Sequence, residues 1–490
     1  MRTTFSGISI ALRALQAQQA SLDVTSHNVA NANTPGFSRQ TAVLSASRAY
    51  PVPMLSGGVS NGQYGTGVQV SQVMRARDHF VETRIRQESP HLSYWETLQE
   101  GLSQVELFFS EPGETGISAA LDQMWDALQD LSYGADSDSV REVVVQRAEV
   151  LVEAIRNTRT QLQSLRADLN NNVQVLVSKV NTLARQIADL NNQIGKVSAT
   201  GSHPNDLLDQ RDMLLEELSK IADIEVVDDH ANMVVVTLNG VGLVQRSSAY
   251  TLETYRVPVP EQGYDKYEVR WQATGNATVI KSGELGATLA LRDQEVQNYI
   301  AELDRWTLDF AAAFNAIHQE GFTLNGEAGE AFFVFSPDPN TGETFAALSI
   351  AVNESIVQDP GKIAAAYFGE GEGWKDGHKA NGANALRLAE LRNKPPEKPT
   401  PWEFTVGDGF ISIISNLGVR AERARKMAEN RDVLVTHLQN LREATSGVNL
   451  DEEMANMIKF QHAYNAAARL MTAVDQTLDV LINRLGVVGR

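Results

Sequence analysis

LVEAIRNTRTQLQSLRADLNNNVQVLVSKVNTLARQIADLNNQI, Leu151 to Ile194, is the stretch that decides the fold class. Leu151, Ile155, Thr158, Leu162, Leu165, Leu169, Val173, Leu176, Val180, Leu183, Ile187, Leu190 and Ile194 step by alternating fours and threes, a heptad stripe of the coiled-coil kind. A helix spanning about 140 to 197 follows, roughly 85 Å long at 1.5 Å per residue. Such a rod implies an elongated helical domain. Two successive fours, at Leu165, Leu169 and Val173, form a stutter that locally unwinds a supercoil.

Both chain ends repeat the pattern. Ile8, Leu12, Leu15, Gln19, Leu22, Ser26 and Val29 are spaced for one helix face, as are Met454, Met457, Gln461, Tyr464, Ala468, Met471, Asp475, Leu478, Ile482 and Leu485. Between Phe5 and Ser38 the only charged residues are Arg13 and Asp23, so the first helix can contact neighbours on several sides. The 15 prolines avoid residues 1 to 34, 113 to 203 and 402 to 490, which reads as the helical mass. Residues 205 to 222 and 285 to 318 read as further amphipathic helices.

Strand-like runs are short. Met233 to Leu238 precedes Asn239-Gly240, a tight-hairpin pair, and Tyr267 to Trp271 is a second run. Gln40 to Leu44 follows Thr34-Pro35-Gly36, whose order favours a type II turn. The fold class is mainly α with small β elements (α+β): paired terminal helices, a long-helix bundle, and β-hairpins near 225 to 275.

Composition narrows the function. The chain has 490 residues, room for roughly three domains, and a net charge of −19 that disfavours a nucleic-acid-binding surface. Cysteine is absent, which removes disulfides, thiolate nucleophiles and cysteine metal sites. Met1 to Gly7 lacks the basic cluster and apolar run of a secretory signal, and no stretch reaches the ~18 apolar residues of a membrane span. Taken alone, these features describe a soluble cytosolic protein without membrane insertion.

Catalytic patterns are weak. The nine histidines are dispersed without an HExxH, and no GxSxG, Walker or GxGxxG motif is present. Gly240-Val241-Gly242 reads as a turn. Asp206, Asp209 and Asp212 fall three apart, close enough for paired-carboxylate acid–base work in a hydrolase, but an acid-rich first helical turn with salt bridges to Arg211 accounts for them. Asp338 to Glu343 begins like a calcium loop without its downstream acid, and reads as a turn. No cofactor, metal or catalytic residue is expected.

Ser6-Gly7-Ile8 with Leu12 to Gln19, Asn28-Val29-Ala30-Asn31-Ala32-Asn33-Thr34-Pro35-Gly36-Phe37-Ser38-Arg39, and then Gly65 to Val68, Arg75-Ala76-Arg77-Asp78 and Phe80 closely resemble the signature of bacterial flagellar rod, hook and hook-associated axial proteins. Pro204 to Asp212, Ser446 to Glu453, Phe310 to Asn315, His318, Gly321 and Phe332-Phe333 are similar to the hook-associated family that forms the first hook-filament junction. Another hook or rod subunit is the alternative, against which Asn205 to Asp212 discriminates.

The resemblance implies a non-enzymatic structural subunit, exported by flagellar type III secretion without a cleaved signal, outside the cell at the hook-filament junction. The cytosolic inference yields to it. Implied partners are further copies in a ring or tube, the hook protein, the second junction protein and an export chaperone. The assembly seam falls on Ile8, Leu12, Leu15, Leu22, Val29, Met471, Leu478, Ile482 and Leu485. The chaperone stripe falls on Met454, Met457, Tyr464, Met471, Leu478 and Ile482. The expected domains are 1 to 45 with 446 to 490 for assembly, and 46 to 445 as the elongated helical domain. The β-rich outer domain that family members commonly insert after Phe333 is expected to be absent or reduced to a loop, 334 to 381.

Overall fold

The computed structural model describes residues 6–49, 64–109, 113, 116–260, 263–337, 345–368, 378–396 and 404–480. In chain order these form α1 (Ser6–Ala30), β1 (Gln40–Ala46), β2 (Val68–Arg75), α2 (His79–Phe109), α3 (Ile117–Tyr133), α4 (Asp138–Ala199) and α5 (Asn205–Ile221). There follow β3 (Ile224–Asp228), β4 (Val234–Leu238), β5 (Val241–Gln245), β6 (Ser248–Ala249), β7 (Leu252–Val259) and β8 (Tyr264–Trp271). The remainder comprises α6 (Gly283–Ala290), α7 (Val296–Glu320), β9 (Phe333–Phe335), α8 (Ala346–Ser349), β10 (Ile350–Val352), α9 (Glu354–Gln358), α10 (Ala383–Glu390), α11 (Val406–Ser446) and α12 (Leu450–Asp479). The class is mainly α with small antiparallel sheets, ordered β1-β2, β3-β4-β5-β6, β7-β8 and β10-β9.

Two compact units divide the chain. One holds Met1–Ser89, Asn181–Tyr250 and Asp432–Arg490; the other holds Pro90–Val180 and Thr251–Arg431. The expected division at 45 and 446 cuts the chain at different places. α2, α4 and α11 each contribute residues to both units.

The first unit pairs α1 with α12 in antiparallel fashion: Gly7 lies against Val474, and Asn28 hydrogen-bonds Glu453. The same unit holds the β1-β2 ribbon, α5 and the β3-to-β6 sheet. The Asn239-Gly240 turn joins β4 to β5 with φ of 52° and 76°, the doubly positive geometry of a type I′ hairpin. Gly36 has φ of +77°, and Phe37 N donates to Thr34 O at 3.2 Å, so the Pro-Gly turn forms as its order suggests.

In the second unit the heptad face of α4 is buried: Leu151, Ile155, Leu162, Val173 and Val180 are each solvent-free. The stutter is filled by polar side chains. Asn170 Oδ1 accepts from Tyr267 N at 2.8 Å and Arg292 Nη1 at 2.9 Å. Arg166 stacks 4.0 Å above the Tyr264 ring, and burial pulls its guanidinium down to about 10. Arg292 sits on a π-helical turn, Leu291–Glu295, which splits the single helix expected over 285 to 318 into α6 and α7. The extra residue of a π turn re-aims side chains, and here it delivers Arg292 to Asn170 and Tyr267 O.

Two further expectations change. α2 carries Pro90 in its interior, so proline-free zones underestimate the helical mass. The segment 334 to 381, read as a loop, packs Ala347, Ile350, Ile356 and Ile363 into the core among its described residues; residues 338 to 343, read as a turn, lie outside the described residues.

The aromatic core gathers Trp125, Trp306, Phe310, Phe314, Phe332 and Phe333, with Trp306 and Phe310 stacked 5.6 Å apart. Asn315 pins the Phe pair, its Oδ1 accepting from both backbone N–H groups and its Nδ2 donating to Phe333 O. His318 is solvent-free beside Phe332. Its Nε2 accepts from Ala364 N at 2.9 Å, which leaves Nδ1–H to donate to Glu330 O at 2.7 Å.

Burial pushes the His318 imidazole from 6.5 down to about 4. Between those values the unfolded chain binds the proton and the folded chain does not, so stability falls as pH drops from 6.5 towards 4, by at most ~3 kcal/mol. Urea midpoints at pH 7 and pH 5 measure this loss. His318→Gln, which cannot charge, is expected to show a smaller difference between the two midpoints than the unmodified chain.

Candidate functional site

The base of the α1–α12 pair is where separated segments meet. Asn28, on the buried face of α1, is solvent-free at 1% exposure and acts as a backbone mimic for β1. Its Nδ2 donates to Gln40 O at 2.8 Å and its Oδ1 accepts from Gln40 N at 2.9 Å. The same Nδ2 reaches Glu453 Oε2 at 3.0 Å, tying the first helix to the last.

The Pro35-Gly36 turn then aims Ser38 and Arg39 in two directions. Arg39 clasps Glu453 through Nε at 2.9 Å and Glu452 through Nη1 at 2.7 Å, while Arg39 N donates to Ser446 O. Asn449 caps α12, its side chain accepting from Asp451 N and Glu452 N, which presents both glutamates at the helix start. Ser38 donates from N and Oγ to the two carboxylate oxygens of Asp209.

Asp209 and Asp212 lie one turn apart on α5 and face the end of β2. Arg75 Nη1 donates to Asp209 at 2.7 Å and Asp212 at 2.8 Å; Arg77 contacts Asp212 at 2.9 Å, Asp209 at 3.4 Å and Glu82 at 3.3 Å. Burial alone lowers the Arg75 pKa, but the charge of Asp212 and the hydrogen bonds to both aspartates outweigh it and the net shift is upward. Arg211 moves the other way, because burial outweighs Asp212. Asp206 stays outside the lattice with a 63% exposed side chain, accepting from Gln40 Nε2 at 2.8 Å.

This chemistry is structural. Asp209 and Asp212 each accept from charged donors, so the carboxylate pair is committed to arginines. Among the described residues no group of three or more His, Asp or Glu could hold a metal ion, and no helix is long and apolar enough to cross a membrane.

The seam residues are distributed unevenly. α1 buries small and polar side chains, Ala11, Ala17, Ser21, Thr25 and Asn28, against its neighbours in the first unit. Ile8, Leu15, Leu22 and Val29 are half-buried at its flanks, and Leu12 is 45% exposed. On α12 the shielded line is Glu453, Met457, Phe460, Tyr464, Ala467, Met471, Val474 and Leu478. Met457, Tyr464, Met471 and Leu478 therefore face inward, whereas Met454 is exposed on the opposite side. Ile482 and Leu485 lie outside the described residues. The buried line of α1 is thus small and polar, and the shielded line of α12 is mostly large and apolar.

Residues 8–37 match the flagella basal body rod protein family, 102–333 the flagellar hook-associated protein FlgK helical domain, and 442–485 the flagellar basal body rod FlgEFG protein C-terminal family. Flagellar hook-associated protein 1 of Bacillus subtilis is 33% identical over 518 residues, with 100% of both chains covered. The chain belongs to the flagellar hook-associated protein 1 (FlgK) family. The Escherichia coli relative of the same name is 27% identical over 564 residues, covering 97% of this chain and 99% of its own. The solved flagellar hook junction protein FlgK from Burkholderia pseudomallei shares the fold, with a TM-score of 0.63 at 17% identity over 74% of this chain and 100% of that one. Arg39, Asp209 and Glu453 thus bring together parts of the chain that adjoin or fall within three separate family segments.

Asp209→Asn removes one of the two carboxylates that Arg75 and Arg77 share while Asp212 still faces both, and a loss of about 1.5 to 3 kcal/mol is expected. Asp206→Asn, on the exposed rim, is expected to cost under about 1 kcal/mol. Chemical denaturation followed by circular dichroism compares the two.

Proposed function

We propose that this chain is a structural subunit of the bacterial flagellum, seated between hook and filament and assembling with copies of itself through its terminal helices. The observation that carries the reading is the α1–α12 pair: each helix spends one face on the other and leaves an opposite face exposed and poor in charge. Exposed Leu12, Met454, Ile458 and Leu470 on such a pair need neighbours to cover them. Hook protein on one side and the second junction protein on the other are the partners this role demands. Export through the flagellar type III system, to a site outside the cell, follows from the same role.

The test is genetic. Deletion of the gene is expected to leave cells with hooks but no filaments by electron microscopy, and expression of the intact chain to restore them. Normal filaments in the deletion strain would remove the reading. Leu22→Asp and Leu478→Asp place a charge against half-buried seam positions at a cost of a few kcal/mol. Each variant is expected to keep its circular dichroism spectrum and to lose filament attachment.

An export chaperone is expected to hold α12 before assembly. Met457, Tyr464, Met471 and Leu478 become available once α12 parts from α1, while Met454 is exposed already and Ile482 lies outside the described residues. Flexible methionines suit a helix-in-groove complex. A chain ending after Asn449 is expected to lose its chaperone in pull-downs from the cytosol; retained binding would argue that another segment is recognised.

A further inference from the structure

Each terminal helix carries an exposed charge without a partner among the described residues, the anion Asp23 on α1 and the cation Arg469 on α12, where Asp451 and Asp475 are exposed acids as well. α1 has only Arg13 and Asp23. Arg13 is spent within the chain, its Nη1 donating to Thr66 O at 3.2 Å and Thr66 Oγ1 at 3.1 Å. Asp23 is exposed and has no hydrogen bond or ion pair among the described residues. It stands at the rim of an open cleft of about 560 Å³ walled by Val24, Val73, Val197 and Leu207, with His27, His203 and Asp206 alongside.

α12 has two permanent cations, Lys459 and Arg469. The Lys459 ammonium lies 5.9 Å from the Phe460 ring centroid. Arg469 is exposed and unpartnered among the described residues. At 100° per residue it shares a side with Met454, Ile458, Ala466, Ala473 and Val480, opposite the line that faces α1. Asp23 likewise shares the outward side of α1 with Leu12, Gln16 and Gln19.

These charges cannot meet within one chain. With Gly7 opposite Val474 and Asn28 opposite Glu453, Arg469 lies level with Leu12. That is about 17 Å along the pair from Asp23 at 1.5 Å per residue. We propose that the cleft beside Asp23 is the socket for Arg469 of a second copy of this chain. The guanidinium reaches the Asp23 carboxylate while its methylenes lie against Val24 and Leu207. The contact is heterologous: every copy offers both socket and cation, so contacts propagate from copy to copy until a ring closes. It rests on the assembly role proposed above and specifies which surfaces meet.

Asp23→Arg and Arg469→Asp, singly and together, test it in a strain lacking the chromosomal gene. Like charges face each other in each single variant, so filament-bearing cells are expected to fall about tenfold, and the double swap to recover within about twofold. Because the chain has no cysteine, Asp23→Cys with Arg469→Cys supplies a second readout. Treatment of the assembled double variant with a short bis-maleimide, which spans the Cα separation of an arginine–aspartate pair but not the ~17 Å along one chain, is expected to give a ladder of covalent multimers. Single swaps that assemble as well as the unmodified chain, or an assembled double-cysteine chain without multimers, overturn the contact. Failure of the unmodified chain to restore filaments overturns the junction role instead, and the contact with it.

Discussion

Buried negative charge governs the first unit. The side chains of Asp209, Asp212 and Glu453 are 7%, 13% and 3% exposed, in surroundings where an isolated carboxylate costs several kcal/mol. Each is tolerated because an arginine arrives from elsewhere in the chain. That requirement dictates the local architecture. α1 has to stop at Ala30 and turn at Pro35-Gly36 for Arg39 to reach Glu453; β2 has to end at Arg75 for Arg75 and Arg77 to flank Asp209; and α12 has to begin at an asparagine cap that turns Glu452 and Glu453 towards Arg39. The motif residues at these positions are therefore hinge and rivet together, fixing where helices end as well as what they touch.

Much of the fold was legible because it rests on short-range rules. The α4 stripe, the Asn239-Gly240 hairpin, the Pro35-Gly36 turn and the helix over 205 to 222 each depend on residues within a few positions of one another. The lattice was legible only as a resemblance: Asn28, Arg39, Arg75, Arg77 and Glu453 stood out as motif members, and nothing in their spacing told which would meet, since ion pairs between distant segments leave no periodic trace. The small residues of α1 were not legible for a different reason. Heptad reading weights large apolar side chains, whereas α1 buries Ala11, Ala17, Ser21 and Thr25. The hydroxyls of Ser21 and Thr25 are satisfied by the carbonyls of Ala17 and Ser21, which makes polar residues as good as alanine for close packing.

The second unit shows the complementary case, in which a break in a pattern carries information. The stutter at Leu165, Leu169 and Val173 coincides with Arg166 and Asn170, and across from them the π turn supplies Arg292. A strictly apolar stripe would let the β7-β8 hairpin slide along α4. Asn170 forbids this by accepting from Tyr267 N and donating to Asp265 O, since any shift of register strands three buried polar groups at once.

The Asn28–Glu453 and Arg39–Glu453 contacts join positions 425 and 414 residues apart in sequence. Contacts of such separation form late, because loop closure has to precede any energetic return. For a chain that appears amino end first, α1 has no mate until α12 has followed nearly everything else. The first unit is accordingly closed only after α12 has joined α1, however early the segments between them have folded.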